Sequence, residues 1–280
     1  MTIAPWFLPS ILVLTLWGVQ LFLPKLAVRT LPPLHLIVYS SCFFFFGVTG
    51  ILMFLGNVLE GDPVGVFLAV STGFLSTLGT LLYIFAIRHG SMTYGTVMTS
   101  LYPAVATVLA FFVLGEKLTL WQIAGIVLGV CSLVLMAGQA MIKLKNNWLL
   151  PSLGALVLWG VSAFLPKLAL QRLSLPGVLF YDAVGSMLVA MLILFFMQGK
   201  LERDKKGIAI AFCISGISIL AAILYYYALR LGPVATIVTI TAMTPVVTLI
   251  LARVFLRDKI NRIQLLAIGM AMVAIALLAG

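Results

Sequence analysis

The chain has 280 residues, of which 63% are apolar and only 9% are charged. Soluble domains carry about 25% charged residues, so this composition excludes a water-soluble globular protein and predicts one embedded in lipid. The net charge of +10 would also suit a nucleic-acid-binding protein. Here, however, Lys and Arg lie in short stretches between long apolar segments, which indicates membrane loops and no nucleic-acid partner.

A helix that crosses the hydrocarbon core of a bilayer needs about 20 mostly apolar residues. Ten segments qualify, and they run near 6–28, 33–55, 64–87, 92–114, 119–141, 148–170, 175–197, 207–229, 234–256 and 261–279. The connections are short, so no loop can hold a soluble domain. The first segment lacks a basic leader and a small-residue cleavage site, which favours a retained helix over a signal peptide. The predicted fold class is an all-α integral membrane protein with ten transmembrane helices.

The sequence contains an internal repeat. Residues 16–31 read LWGVQLFLPKLAVRTL, and residues 158–173 read LWGVSAFLPKLALQRL. The offset of 142 continues along the chain, where it pairs Tyr39 with Tyr181, Tyr83 with Tyr225, Thr99 with Thr241, Pro103 with Pro245 and Gln122 with Gln264. We infer a duplication, with a first unit over 1–141 and a second over 142–280. Because each unit holds five helices, the second must enter the membrane from the opposite side, which makes the halves inverted repeats.

The basic residues lie mostly on one face. The connections that follow the odd-numbered helices hold eleven Lys and Arg residues, including the cluster from Lys200 to Lys206. The opposite face holds only Lys117, Arg172 and Arg230. The positive-inside rule therefore predicts a cytoplasmic basic face and both termini outside.

The sequence offers no metal, cofactor or catalytic constellation. The three cysteines, Cys42, Cys131 and Cys213, lie within apolar segments without close spacing, which favours buried free thiols. The two histidines, His35 and His89, lie near helix ends without metal-ligand spacing. We therefore expect no enzyme activity, and no glycine-rich phosphate loop suggests direct use of ATP.

Several motifs resemble the EamA-like branch of the drug/metabolite transporter superfamily. Trp17-Gly18, with Lys25 eight residues after the Trp and then Leu31-Pro32-Pro33-Leu34, is similar to that family's opening. The stretch Tyr102-Pro103, Gly115-Glu116-Lys117-Leu118-Thr119 and Gln122…Gly125 is similar to its fourth and fifth helices. The resemblance covers the chain once per half, and it departs where the family often has an Arg in its second helix and this chain has Tyr39-Ser40-Ser41.

This resemblance implies two inverted five-helix repeats around a central cavity that is lined by helices other than the fifth and tenth. It also implies a carrier, since the family includes exporters of amino acids and other metabolites, and relatives that carry sugar phosphates and nucleotide sugars. Familiar members keep their termini in the cytoplasm, opposite to the charge count here. Both orientations, and both export and import, therefore stay open.

Asp182 is the sharpest single candidate for function. It lies about 10 Å into the seventh predicted helix, at 1.5 Å per residue. An acid at this depth costs a few kcal/mol, so intramembrane acids are functional hypotheses by default. Asp182 can bind a substrate amine or carry a coupling proton. The alternative is an acid hydrated at the mouth or bonded to a neighbouring hydroxyl.

A set of deep aromatic residues recurs in both halves, and it comprises Trp17, Trp159, Tyr39, Tyr181, Tyr83 and Tyr225. Their ring faces and polar tips would suit an amphipathic or cationic metabolite, and helix packing is the alternative. Gln20 and Ser162 add polarity one turn further on.

Two other pairs of repeat-related residues are candidates for gating or hinge roles. Lys25 and Lys167 each follow a proline, and they are either gates or anion contacts at the cavity mouths, or side chains that snorkel to the headgroups. Pro103 and Pro245 lie midway along helices 4 and 9, where each frees the carbonyl four residues back, of Thr99 or Thr241. Those carbonyls can bind a solute and the kinks can be hinges, or the kinks are static.

Small residues and end acids complete the candidates. Gly125 and Gly129, echoed by Ala267 and Ala271, predict close packing between the halves or against a second chain in a homodimer. Glu116 and its repeat mate Asp258 lie at helix ends, which predicts solvated loop acids.

The function these patterns favour is a secondary carrier that exports a small metabolite, such as an amino acid or amine, by alternating access. Protons or a counter-substrate would drive it, and a prokaryotic inner membrane would hold it. A sugar-phosphate or nucleotide-sugar exchanger and a non-transporting membrane scaffold are the alternatives.

Overall fold

The computed structural model describes residues 4–23, 31–56, 61–89, 99, 101–137, 148–255 and 262–279. Ten helical spans make up this part of the chain. In chain order they are α1 (Phe7–Phe22), α2 (Pro33–Phe54), α3 (Pro63–His89), α4 (Tyr102–Leu114), α5 (Leu120–Ala137), α6 (Leu149–Ala169), α7 (Leu175–Phe196), α8 (Lys205–Leu231), α9a (Val234–Ala242) with α9b (Thr244–Phe255), and α10 (Arg262–Ala279).

Each predicted apolar segment overlaps one of these spans, and α3 and α8 extend one or two residues beyond their predicted bounds. By length and composition, α2, α3, α6, α7 and α8 are long and apolar enough to cross a membrane, and the other spans are shorter apolar helices. The outer surface carries large exposed apolar side chains, among them Phe54, Phe112, Phe196 and Leu150. Such a surface is stable only against lipid, so the ten-helix membrane fold is confirmed.

The ninth span differs from the continuous helix predicted over 234–256, because it breaks at Met243. Pro245, at the second position of α9b, has no N–H to donate and cannot continue the preceding helix. The first half shows the same local geometry, with Pro103 in the first turn of α4. The Ala104 N–H bonds the Leu101 carbonyl at 2.9 Å, and the repeat-related Val246 N–H bonds the Met243 carbonyl at 3.0 Å. Pro245 therefore starts a new helix and does not kink a continuous one, and Pro103 occupies the same second position of α4.

The strongest helix packing is between the halves. In the described part, α3 packs against α6 and α7, and α8 packs against α1 and α2 in the same way. The repeat-related pairs α2–α7, α4–α9a and α5–α10 also pack against each other. A two-fold axis in the membrane plane produces this pattern, because it exchanges helices 1–5 with helices 6–10.

Individual side chains repeat the same symmetry. Gly18 packs against Val247, and its repeat mate Gly160 packs against Val105, the mate of Val247. Likewise the rings of Trp17 and Tyr225 lie 5.2 Å apart and those of Trp159 and Tyr83 lie 5.5 Å apart. The inverted repeat is thus visible contact by contact.

Small residues join α5 to α10 within the chain. The Ser132 hydroxyl donates to the Ala267 carbonyl at 2.7 Å, and Gly125 lies against the Ala274 carbonyl. The sequence left open whether these small residues pack against the other half or against a second chain. The structure shows them packed against the other half. The expectation of buried thiols is wrong for Cys131 and Cys213, which are free and exposed on the outer surface.

Gly73 gives a test of this interlocked packing. A Cβ there would collide with the Asp182 backbone carbonyl across the α3–α7 contact, whereas a Cβ on Gly50 of α2 would meet no atom within 4 Å. We expect Gly73→Ala to destabilise the protein by about 1–3 kcal/mol through overpacking. Gly50→Ala is the matched control and should be neutral or slightly stabilising, since Ala favours helix over Gly. Thermal unfolding in detergent measures both, and equal shifts would contradict the packing described.

Candidate functional site

The bundle has two ends that need names. The terminal face carries the start of α1 and the α2–α3, α4–α5, α6–α7 and α8–α9a turns. The basic face is the opposite end and carries the α7–α8 turn, where Lys200, Arg203, Lys205 and Lys206 are exposed. Contacts between the α2–α3 and α6–α7 turns, such as Gly65 against Leu173, keep the terminal face together.

Six aromatic side chains inside the bundle, here called the aromatic girdle, form two ring clusters: Trp17, Tyr225 and Tyr226 in one, and Tyr83, Tyr102 and Trp159 in the other. Tyr102 and Tyr225 lie close enough across the two clusters to interact electrostatically. Tyr225 lies 5.2 Å from Trp17 and 5.9 Å from Tyr226, measured between ring centroids. On the other side, Trp159 lies 5.5 Å from Tyr83 and 6.4 Å from Tyr102. The girdle thus collects rings from α1, α3, α4, α6 and α8.

Hydrogen bonds to the backbone hold the girdle rings in place. The Tyr225 hydroxyl donates to the Ala163 carbonyl at 2.7 Å, and the Trp159 indole N–H donates to the Ser76 carbonyl at 3.0 Å. Tyr102 lies beside Thr241, close enough for the two side chains to interact, which places the girdle next to α9a. Because the polar tips of Tyr225 and Trp159 are satisfied within the protein, these two rings can offer their faces to a solute while their tips stay hydrogen-bonded.

The girdle contains four of the six predicted aromatic residues and two that the sequence reasoning missed. The predicted aromatic residues were those that recur in both halves. Tyr102 and Tyr226 do not recur, because the repeat pairs them with Thr244 and Ile84. The run Tyr225-Tyr226-Tyr227 was a signal that did not depend on the repeat; its first two residues are buried and Tyr227 is exposed.

Tyr39 lies apart from the girdle. The Tyr39 hydroxyl donates to the Glu202 carbonyl at 3.0 Å, and the Glu202 N–H donates to His35 Nδ1 at 2.8 Å. Tyr39 therefore fastens the α7–α8 turn at the basic face. Tyr181 is half-buried on α7, and its ring centroid lies 5.3 Å from that of Phe180 in an edge-to-face arrangement.

Asp182 joins one end of the girdle. Its side chain is only 7% exposed, and Oδ2 accepts a hydrogen bond of 2.8 Å from the Tyr226 hydroxyl. Within the described residues, no Lys or Arg forms an ion pair with it. The sequence left open whether this acid is hydrated at the mouth or bonded to a neighbouring hydroxyl. The structure shows Asp182 buried and bonded to the Tyr226 hydroxyl. A buried carboxylate without a cationic partner is a site for a cation, either a proton or an ammonium group.

The repeat places a neutral contact at the equivalent position in the first half. There the Ser215 hydroxyl donates to the Ser40 carbonyl at 2.8 Å, where Gly73 faces the Asp182 carbonyl in the second half. Ser40 is the repeat mate of Asp182. The close backbone approach is therefore shared, and the charge belongs to one half.

Of the remaining polar candidates, Gln20 lies on α1, Ser162 on α6 and Thr241 on α9a. Thr99 and Thr241 are buried, and the Thr241 hydroxyl also donates to the Val238 carbonyl at 3.2 Å. Ser162 donates to the Trp159 carbonyl at 3.0 Å. The buried Oε1 of Gln20 finds no hydrogen-bond partner in the part of the chain that the structure describes. Gln20 is thus an acceptor that a bound solute can satisfy.

Two charged side chains fix the α8–α9a turn at the terminal face. The Lys167 ammonium donates to the carbonyls of Leu229 at 2.5 Å and Gly232 at 2.9 Å. The Glu116 carboxylate accepts from the N–H groups of Val234 at 2.7 Å and Ala235 at 3.2 Å. The expectation that Glu116 is a solvated loop acid is therefore wrong. Lys25, the repeat mate of Lys167, lies outside the described residues.

Comparisons with known proteins support this architecture. The sequence model of the EamA-like transporter family matches residues 4–138 and again residues 146–280. A solved crystal structure of a protein superposes with a TM-score of 0.84 at 16% identity, over 99% of this chain and 98% of that one, which shows the fold. An uncharacterized protein of Methanocaldococcus jannaschii is 26% identical over 122 residues, which cover 44% of this chain and 88% of that protein.

The hydrogen bond between Tyr226 and Asp182 gives a second test. Tyr226→Phe leaves the buried carboxylate without its donor, and we expect a loss of about 1.5–3 kcal/mol, the range for hydrogen bonds to charged groups. Tyr227→Phe, on the exposed next residue, is the control and should change stability little. In a double-mutant cycle of unfolding free energies, Asp182→Asn should remove most of the Tyr226→Phe effect. Additive effects would show that the pair is not coupled.

Proposed function

The chain belongs to the EamA-like transporter family of the drug/metabolite transporter superfamily, and on that premise we propose that it is a secondary carrier of small amine-bearing metabolites such as amino acids. The family makes it an integral membrane transporter of small solutes. The observation that carries the finer proposal is the buried Asp182–Tyr226 pair at one end of the aromatic girdle. The proposed direction is export, by alternating access.

The chemistry of the buried groups favours an amine. Asp182 supplies a negative charge, and the aromatic rings supply faces that attract cations. Gln20 supplies an acceptor that lacks a donor within the described residues. An ammonium group has donors and positive charge but no acceptor, so it complements all three.

A phosphate-bearing substrate fits these groups less well. Phosphate sites use Arg or Lys as donors. The Lys167 ammonium is engaged by two backbone carbonyls, and the charged group within the girdle is an acid. Sugar-phosphate or nucleotide-sugar exchange is therefore the weaker alternative. A non-transporting scaffold gives no reason for a buried acid hydrogen-bonded to one of these buried rings.

Inverted repeats give alternating access a physical basis. The contacts of Gly18 with Val247 and of Gly160 with Val105 are equivalent, so either half can take the conformation of the other at similar energy. The helix starts at Pro103 and Pro245 supply equivalent hinge positions in the two halves. In the described conformation the charges of Glu116 and Lys167 hold the terminal face together.

Asp182 also offers a route for energy coupling. A carboxylate that binds a proton when the amine leaves exchanges one cation for another, so proton flow in one direction can drive amine flow in the other. Exchange against a second metabolite on the same acid needs no proton. Both mechanisms use the same residue and predict that neutralising Asp182 abolishes coupling.

Counterflow in proteoliposomes tests the carrier proposal. We expect saturable uptake of a labelled amino acid or amine into vesicles loaded with the unlabelled solute. Asp182→Asn should lower the initial rate at least tenfold, because the cation partner is lost. Glu202→Gln removes an exposed acid at the basic face and should leave the rate unchanged. If wild-type vesicles show no saturable flux for any amine, amino acid, sugar phosphate or nucleotide sugar, the scaffold alternative holds.

Cysteine labelling tests the orientation. We propose a cytoplasmic basic face in a prokaryotic inner membrane, because the positive-inside rule favours it. In a background without the native cysteines, Lys117→Cys on the terminal face should react with an impermeant thiol reagent in intact cells. Lys205→Cys on the basic face should react only after the membrane is permeabilised. The reverse pattern would place both termini in the cytoplasm.

A further inference from the structure

We propose that Glu116 is the latch of the terminal face: its carboxylate caps α9a from the opposite half of the protein, and the terminal face opens when that cap is released. This inference rests on the proposed function, because it names how one face of the carrier is held closed. It concerns a positioning residue, since Glu116 acts through α9a and does not touch the girdle.

The α9a helix has no cap of its own. Its first two helical residues are Val234 and Ala235, and the preceding Pro233 provides no side-chain hydrogen bond. By contrast, α3 and α8 are capped by their own Asp62 and Asp204, which accept from backbone N–H groups three residues on. Free N–H groups at a helix start need an acceptor, and inside a membrane protein water is scarce. Glu116 supplies that acceptor.

Glu116 approaches from the first half, and the helix that it caps belongs to the second. It follows Gly115, whose left-handed backbone (φ 62°) ends α4 and turns the chain toward α9a. The carboxylate accepts from both N–H groups and faces the positive end of the α9a dipole. On the other side of the same turn, Lys167 binds the carbonyls at the negative end of α8. The turn is thus held by one charge from each half.

The inner end of α9a leads to the candidate site. The helix is only nine residues long, and every one of them is buried. It stops at Met243, just before the new start at Pro245, so it is a short rod with a break at its inner end. Thr241, one residue from its end, lies beside Tyr102 of the girdle, close enough for the two side chains to interact. A solute that displaces Tyr102 would therefore move the same rod that Glu116 holds at its outer end.

Thiol labelling of purified protein in detergent tests the latch without any substrate. Thr236 lies on α9a under the turn, is fully buried, and its hydroxyl lacks a hydrogen-bond partner among the described residues. Thr236→Cys, in a background without native cysteines, is therefore a mild reporter. We expect Glu116→Ala to raise its maleimide labelling rate at least tenfold and Glu116→Gln to raise it less, since Gln keeps one acceptor oxygen. Lys117→Ala, an exposed neighbour on the same turn, should have no effect.

A second reporter separates latch release from general unfolding. Ser215→Cys is buried on α8 toward the basic face, on the far side of the girdle from Glu116. Release of the latch should leave labelling at this position unchanged or lower it, whereas loosening of the whole bundle would raise both rates. The inference is overturned if Glu116→Ala leaves the Thr236→Cys rate unchanged, or if both reporters accelerate alike. Failure to find a transported solute would instead defeat the proposed function and leave the labelling result standing.

Discussion

Helices from opposite halves approach one another at positions where a glycine or small side chain leaves room for a backbone carbonyl, a branched side chain or a ring. Gly18, Gly73 and Gly160 all mediate such approaches. In lipid there is no hydrophobic force between apolar helices, so close packing and interhelical hydrogen bonds must hold the bundle together. Because these contacts join the two halves and not neighbours in sequence, neither half presents a separate packed core.

The same packing contacts occur in both halves, but the buried acid and its hydroxyl partner occur in one half only. The Trp17–Tyr225 and Trp159–Tyr83 ring pairs are equivalent by the repeat. Asp182 and Tyr226, however, correspond to Ser40 and Ile84 in the repeat. Because the packing contacts are symmetric, the conformations in which the two halves exchange their arrangements have similar energies. Because the acid occurs in one half only, the interior has a single acidic group among the described residues. Duplication followed by divergence at a few buried positions accounts for both properties.

The position of a side chain along its helix explains how much of its surroundings the sequence could predict. Asp182 was recognised because an acid in an apolar run is conspicuous whatever it contacts. Glu116 was misjudged because it lies at a helix end, where most acids are hydrated, and its partners Val234 and Ala235 are far away in the sequence. Tyr39 recurs in the repeat like the girdle residues, but its height in α2 places it beside the α7–α8 turn. Position along a helix decides depth, and sequence patterns give it only to within a turn or so.

The sequence by itself determined the ten apolar spans, the duplication and its inversion. These depend on local hydropathy, on residues in register and on an odd helix count, all of which can be read along one chain. The tertiary structure alone decided which of the repeated residues meet. It joined Tyr102 and Tyr226 to the girdle, gave Asp182 a hydroxyl partner and turned Glu116 into the cap of a helix in the other half. Such pairings depend on the rotation and height of helices against one another, which side-chain packing across the whole bundle fixes and no local pattern encodes.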